Sequence, residues 1–352
     1  MGRWRALARV ESLMSESKKS GGWLKHAAGA FITIACVVVI ARQVNLDEVL
    51  AAIRHFDWPY LVFGIAFLAF GYCLRVLRWS LLLGATGAPV RFGNCLAPFL
   101  GSIALNNVLP LRLGDLVRAF VFPAAMGVPK TTATSSLVME RLIDLMTLLC
   151  CLAIGLFAIR TAQVPTMISE SALTLAVLGG VALVLTFLFS GLLARTLENA
   201  AARQPAGSRL AGILATVAGL LRGFEAMSRL RVLVSTLLIS MLVWVGESGL
   251  FYFMMRGCGL EASPPMALLV MAIATLSTLV PSSPGYVGPF HLAAFTAISL
   301  VGGSAAQAGS FAVLCHLALW LPTTLAGAIA ILLRPELFRV ARGATRSEVP
   351  IN

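Results

Sequence analysis

Hydrophobic and polar positions are unevenly spread along this chain. Long apolar runs fall at 24–41, 58–83, 135–159, 173–193, 232–255 and 307–333, separated by short polar or arginine-bearing joints. Each run has about the 20 residues that a membrane-crossing helix needs. Trp58-Pro59-Tyr60 opens the second run with aromatic interface anchors and a helix-starting proline. That run ends toward Arg75, Arg78 and Trp79, which read as its basic, interfacial end. Two further apolar stretches, 94–126 and 266–301, differ from these. Each holds two pieces that are short for a full crossing and meet at a break. The stretch 195–231, with six arginines and apolar residues at near-helical spacing, predicts an amphipathic cytoplasmic surface segment.

The breaks are Leu105–Asp115 (LNNVLPLRLGD) and Leu276–Pro289 (LSTLVPSSPGYVGP). Pro110 is followed four residues on by Gly114, and Pro281 by Gly285, with Asn106, Asn107, Ser282, Ser283 and Gly288 close by. Proline removes a backbone donor, and glycine permits angles that other residues resist. In lipid such a backbone is tolerated only inside protein or beside a watery cavity. The pattern therefore predicts two re-entrant helical hairpins. The predicted fold is all-α and polytopic, with about six full transmembrane helices plus the two hairpins.

Composition agrees with this. The chain of 352 residues is 59% hydrophobic and 12% charged, against about 25% charged in soluble domains. Its runs are far longer than the alternating strands of an outer-membrane barrel. The net charge of +12 comes from arginines at the ends of apolar runs, which is a positive-inside distribution and not a nucleic-acid surface. It predicts cytoplasmic termini: a basic extension over 1–23, with Met14 an alternative start, and a basic tail over 335–352. The charge rule then holds only if each hairpin returns to the side it left, the first from the cytoplasm and the second from the opposite face. That is an inverted repeat. The seven cysteines lack CxxC spacing and read as small buried hydrophobes.

Ionisable residues within apolar runs are functional candidates because burying them is costly. Arg112, Asp115 and Arg118 cluster at the first break, and Asp115 could pair with Arg118 at i,i+3. Arg112 offers a fork suited to a phosphate. Glu140, Arg141 and Asp144 open the next run; Glu140 and Asp144 share a face and need a cation between them, Arg118 or Arg112. Glu247 stands alone in mid-run as a candidate proton or cation site, with His291 and His316 as further candidates.

The segments Asn107–Arg118 (NVLPLRLGDLVR), Glu140–Asp144 (ERLID) and Pro281–His291 (PSSPGYVGPFH) together resemble the lysylphosphatidylglycerol synthase transmembrane-domain family. The resemblance implies a lipid-translocating, flippase-like domain in its stand-alone form, without the aminoacyl transferase some relatives carry. Stand-alone relatives are linked to hopanoid handling and to glycosylation. His291 occupies the place where many relatives have a glutamate.

The expected function is movement of an anionic phospholipid or an isoprenoid or hopanoid-type lipid between leaflets of the inner membrane, with no enzyme activity and no cofactor. The chain has no Walker motif, so a gradient or the lipid itself would drive it. The expected substrate is a membrane lipid; a second copy and lipid-biosynthesis enzymes remain open as protein partners. One alternative is a non-transporting scaffold for lipid-modifying enzymes. A remote one is an intramembrane serine protease, from Gly246-Glu247-Ser248-Gly249 with His291 or His316 as base.

Overall fold

The computed structural model describes residues 32–43, 45–159, 166–205, 208–280 and 282–337. These form helices α1 (Ile32–Ala41), α2 (Leu46–Arg54), α3 (Pro59–Ala85), α4 (Phe92–Val108), α5 (Leu113–Phe120), α6 (Phe122–Met126) and α7 (Lys130–Ile159). There follow α8 (Thr166–Ala202), α9 (Arg209–Met227), α10 (Leu230–Gly257), α11 (Pro264–Ser277), α12 (Pro289–Leu300) and α13 (Ala305–Leu333). Two single-turn 3₁₀ helices, Pro110–Arg112 and Pro284–Tyr286, sit at the two breaks. The described residues contain no strand. The all-α polytopic membrane class is therefore the observed one, and α3, α7, α9, α10 and α13 are each long and apolar enough to cross a membrane.

Local chemistry sets the ends of these helices. Pro59, Pro264 and Pro289 occupy first-turn positions, where a missing N–H costs nothing. Ser304 caps α13: its hydroxyl accepts from the Gln307 amide at 3.2 Å, and the Gln307 side chain accepts from the Ser304 amide at 3.0 Å. Gly127, left-handed at φ 65°, ends α6.

Helices α3 and α10 form a closely packed antiparallel pair. Gly64 lies against Leu250, and Gly71 against the backbone of Val243 to Glu247. A Cβ on Gly246 would stand 2.9 Å from the Gly71 Cα, so these glycines let the backbones approach as membrane helices do at small-residue seams. Each of α3 and α10 leads a similar unit: a long helix, a short helical hairpin, a second long helix. The first arm of each hairpin packs on the closing helix of the other unit, α4 on α13 and α11 on α7.

Contacts along α13 show how the hairpins meet. His316 touches Gly285 at the second break, Thr323 and Thr324 touch Asn107 at the first, and Ile331 lies against Gly101, farther back in α4. The α12 hairpin thus covers the first half of α13, the α4 hairpin covers the second, and the two breaks come together near its middle.

The stretch 195–231 is less uniform than its sequence pattern implies. It contains the end of α8, all of α9 and the start of α10. The α9 helix packs on α8 and α7, and the Ser135 hydroxyl donates to the Leu220 carbonyl at 2.9 Å. Nineteen residues at 1.5 Å give α9 a length of about 28 Å.

Candidate functional site

The two 3₁₀ turns are alike at their ends and differ in the middle, where the second alone is left-handed, at Gly285. Each opens on a proline, Pro110 or Pro284, and each third residue is left-handed: Arg112 at φ 54° and Tyr286 at φ 59°. These are the only non-glycine residues with positive φ among the described residues. Such strain costs of order 1–3 kcal/mol and clusters at functional sites. The two strained residues touch: the Arg112 guanidinium carbon lies 5.4 Å from the Tyr286 ring centre.

Structurally, then, Pro110 corresponds to Pro284, and the sequence match to Pro281, which lies outside the described residues, is out of register. The glycines differ as well. Gly114 is helical, and a Cβ there would run into the Ser102 carbonyl oxygen and the Asn106 amide. Gly285 is left-handed at φ 73°. One glycine permits close packing and the other permits a turn.

Between the turns lies a cavity of about 220 Å³, lined by Asn106, Pro110 and Arg112 from the first break and by Thr278, Ser282, Ser283, Gly285 and Tyr286 from the second. Arg112 Nη2 donates to the Thr278 carbonyl at 3.0 Å and reaches its hydroxyl at 3.1 Å. No carboxylate pairs with Arg112 among the described residues.

Behind the cavity, four arginines and four carboxylates form a balanced network across α3, α5, α7 and α10. Arg75 meets Glu247 at 2.6 Å and Asp144 at 3.6 Å. Arg78 meets Asp144 at 2.6 Å and the Ser240 hydroxyl at 2.7 Å. Arg118 meets Glu140 at 2.9 Å beside the rings of Phe99 and Trp79. One Arg141 nitrogen donates to both Asp115 oxygens at 2.9 Å. Asp115 also accepts from the Asn106 amide group at 2.9 Å, and its own N–H donates to the Asn106 side-chain oxygen at 3.0 Å. The Asn106–Asp115 clasp closes the first hairpin.

This network corrects several expectations. Asp115 and Arg118 do not pair within their helix; each reaches across to α7. Arg118 is 1% exposed and absent from the cavity lining, so a headgroup in the cavity cannot reach it. The cation between Glu140 and Asp144 is chiefly Arg78, with Arg118 on Glu140. Arg75 and Arg78 face carboxylates inside the protein and not its outer surface, Arg78 fully buried at 0% exposed and Arg75 largely so. Their signal in the sequence was the i,i+3 spacing of two arginines in a run long enough to continue past them. Glu247 is not alone, since it accepts from Arg75 and from the Thr275 hydroxyl at 3.2 Å.

The remaining candidates support the second break. His316 Nε2 stands 2.7 Å from the Gly285 carbonyl and so carries the proton of that bond. His291 packs on His316 with ring centres 4.6 Å apart and planes tilted by 45°, and its Nδ1 lies 3.5 Å from the Gly288 amide. Thr33 of α1, which no sequence signal marked, lies 3.0 Å from both the Ser283 hydroxyl and the Val287 carbonyl. A Cβ on Gly288 would meet the Thr33 backbone at 2.8 Å. Asn107 donates to Thr323 and Thr324 at 3.0 and 2.9 Å, and Trp320 donates to its carbonyl at 3.2 Å. Asn107, Glu247 and His316 also line a smaller cavity of about 130 Å³ beneath the tips.

Ser248 has no hydrogen bond to either histidine among the described residues. It lines a separate apolar pocket with Phe67, Val245, Tyr252 and Phe253. A serine nucleophile needs a base within reach, and this arrangement provides none.

Glycosyltransferase AglD of Haloferax volcanii is 30% identical over 122 residues, covering 34% of this chain and 19% of that protein. The chain therefore aligns with about a fifth of that relative. Residues 26–327 match the profile of the lysylphosphatidylglycerol synthase TM region, a span that takes in α1, both hairpins, the ionic network and most of α13. The chain belongs to the lysylphosphatidylglycerol synthase transmembrane-region family.

Proposed function

We propose that this protein is a lipid transporter that moves an anionic amphiphile, a phospholipid or an isoprenoid or hopanoid-type lipid, between membrane leaflets. The two hairpins enter the membrane from opposite faces as an inverted pair, and their tips meet near the midplane. The termini lie on the cytoplasmic side of the inner membrane. The reading is supported chiefly by one observation: both tips line a single cavity whose one cation without a carboxylate partner, among the described residues, is Arg112. The balanced network behind it contributes no net charge. An anionic headgroup placed at Arg112 would be the counterion that the site lacks, and guanidinium-to-phosphate bonds are among the stronger hydrogen bonds. Backbone groups of the second tip would complete its coordination, as in transporters with broken helices.

Family membership supports a role tied to membrane lipids, and a relative named as a glycosyltransferase is consistent with a lipid-linked sugar or phosphate as cargo. Purified protein in proteoliposomes, loaded with fluorescent phosphatidylglycerol or a fluorescent polyprenyl phosphate, tests this. Leaflet exchange well above protein-free vesicles is expected. Its absence for every anionic lipid tried, with folded protein, would overturn the reading and leave the scaffold role in its place.

A further inference from the structure

The two units of the fold create two equivalent seams, α4 against α13 and α7 against α11, and these differ. The α4–α13 seam is closed along its middle, between a cavity of about 130 Å³ at its tip end and one of about 170 Å³ past its far end. Gly327 abuts the Leu100 carbonyl, Gly101 meets the Ile331 side chain, and Asn107 is clasped by Thr323 and Thr324. The α7–α11 seam is closed only at its far end, where a Cβ on Gly155 would lie 2.9 Å from the Leu269 side chain. Toward the tips it opens into a cleft of about 290 Å³, near the lower end of small-molecule pockets.

The lining of this cleft is graded. Arg75, Arg112, Arg141 and Asp144 form its polar part, while Val138, Leu142, Leu145 and Leu276 form an apolar wall. Val138 and Leu145 are exposed on the outer surface of α7, as is Leu279 at the end of α11. Arg112, Thr278 and Leu279 line both the cleft and the tip cavity, so the two spaces adjoin across these three side chains. Arg141 is the most exposed arginine of the network, its side chain 37% accessible.

We infer that the α7–α11 cleft is a lateral portal for the hydrocarbon chain of the cargo. The anionic head sits at Arg112 between the tips, and the chain leaves through the cleft, against Leu142, Leu145 and Leu276, into the bilayer. The unpaired Arg112 and the apolar wall match the two ends of one amphiphile. A chain kept in lipid avoids the cost of exposing its methylene groups to water. The inference rests on the proposed transport reading for its cargo, and it adds the route and a substrate requirement: a compact anionic head on a chain long enough to span the cleft.

The test uses phosphatidylglycerol with a diazirine at the end of one acyl chain, in phosphatidylcholine vesicles holding the full-length protein. Illumination is expected to label α7 around Leu142–Leu148 and α11 around Leu276. Labelling confined to the α4–α13 seam, or spread evenly over the outer helices, would overturn the portal. Because labelling reads binding, it decides the point even if no leaflet exchange is found, in which case the transport reading fails alone. Leu145→Trp, which fills the mouth, is expected to slow exchange about tenfold, the effect of roughly 1.4 kcal/mol. The same change at exposed Leu325 on α13 is expected to leave the rate unaltered. Equal rates for Leu145→Trp and the unmodified protein would contradict the portal.

Discussion

The two tips share a proline-led turn with a left-handed third residue, the second adding a left-handed glycine in mid-turn, and they use it differently. Both break with a proline-led 3₁₀ turn ending in a left-handed residue, Arg112 in one and Tyr286 in the other. The first tip has an internal tie, the Asn106–Asp115 clasp, and is anchored outside by Arg141 of α7 and by Thr323 and Thr324 of α13. The second is held from outside, by Thr33 of α1 and His316 of α13. The first therefore brings charge to the cavity, and the second brings backbone groups and an aromatic ring. Related backbone geometry in two halves does not imply related chemistry; the side chain at the strained position decides that.

Several substitutions would break or sharpen this contrast. The largest effect is expected at Gly114→Ala, where the new methyl has no room between Ser102 and Asn106. Folded yield after detergent extraction should collapse. Gly285→Ala should be milder, because its Cβ would come no closer than 3.0 Å to the Trp320 ring and 3.4 Å to the Asn107 carbonyl oxygen, and the left-handed backbone adds about 1–2 kcal/mol. If the two variants melt alike, the distinction between a packing glycine and a turn glycine is wrong.

Next comes Arg118→Ala, which leaves Glu140 buried and deprived of its closest cation. Loss of one partner of a buried pair typically costs about 3–5 kcal/mol. A melting curve should show a large drop, with part of it restored by adding Glu140→Gln. No restoration would place the defect in lost packing against Phe99 and Trp79.

Arg112→Gly should separate stability from function. It relieves a left-handed residue, worth about 1–2 kcal/mol, while removing the bonds to Thr278. The melting temperature should barely move, whereas binding of a fluorescent phosphate-headed lipid should fall about tenfold. The smallest effect is expected at Arg222→Ala. Its bonds to Glu198 and Glu225 are exposed to solvent, and such pairs contribute little. A clear loss of melting temperature there would mean that α9 depends on this pair to stay docked on α8.

The sequence made some of this visible and hid the rest for physical reasons. Long apolar runs show membrane helices because burial in lipid leaves few polar positions, and Pro110, Gly114 and Pro284-Gly285 mark breaks because few other residues tolerate them. The register between the breaks was hidden, since Pro281 and Pro284 are both plausible partners for Pro110 until their dihedral angles are known. Arg75 and Arg78 misled because an arginine near the end of an apolar run looks the same whether it meets headgroups or a buried carboxylate. Glu247 looked isolated because its partner is far away in sequence, on the helix antiparallel to its own. The role of Thr33 left no trace, a threonine in an apolar helix being unremarkable until Gly288 packs on it.

The most direct test of the central claim, that the unpaired cation between the tips receives the anionic head, is lipid exchange in proteoliposomes across three proteins: unmodified, Arg112→Lys and Arg112→Ala. The account predicts exchange of phosphatidylglycerol that persists, weakened, with lysine and is lost with alanine, while all three proteins stay folded. Equal exchange by the unmodified and alanine proteins would contradict it.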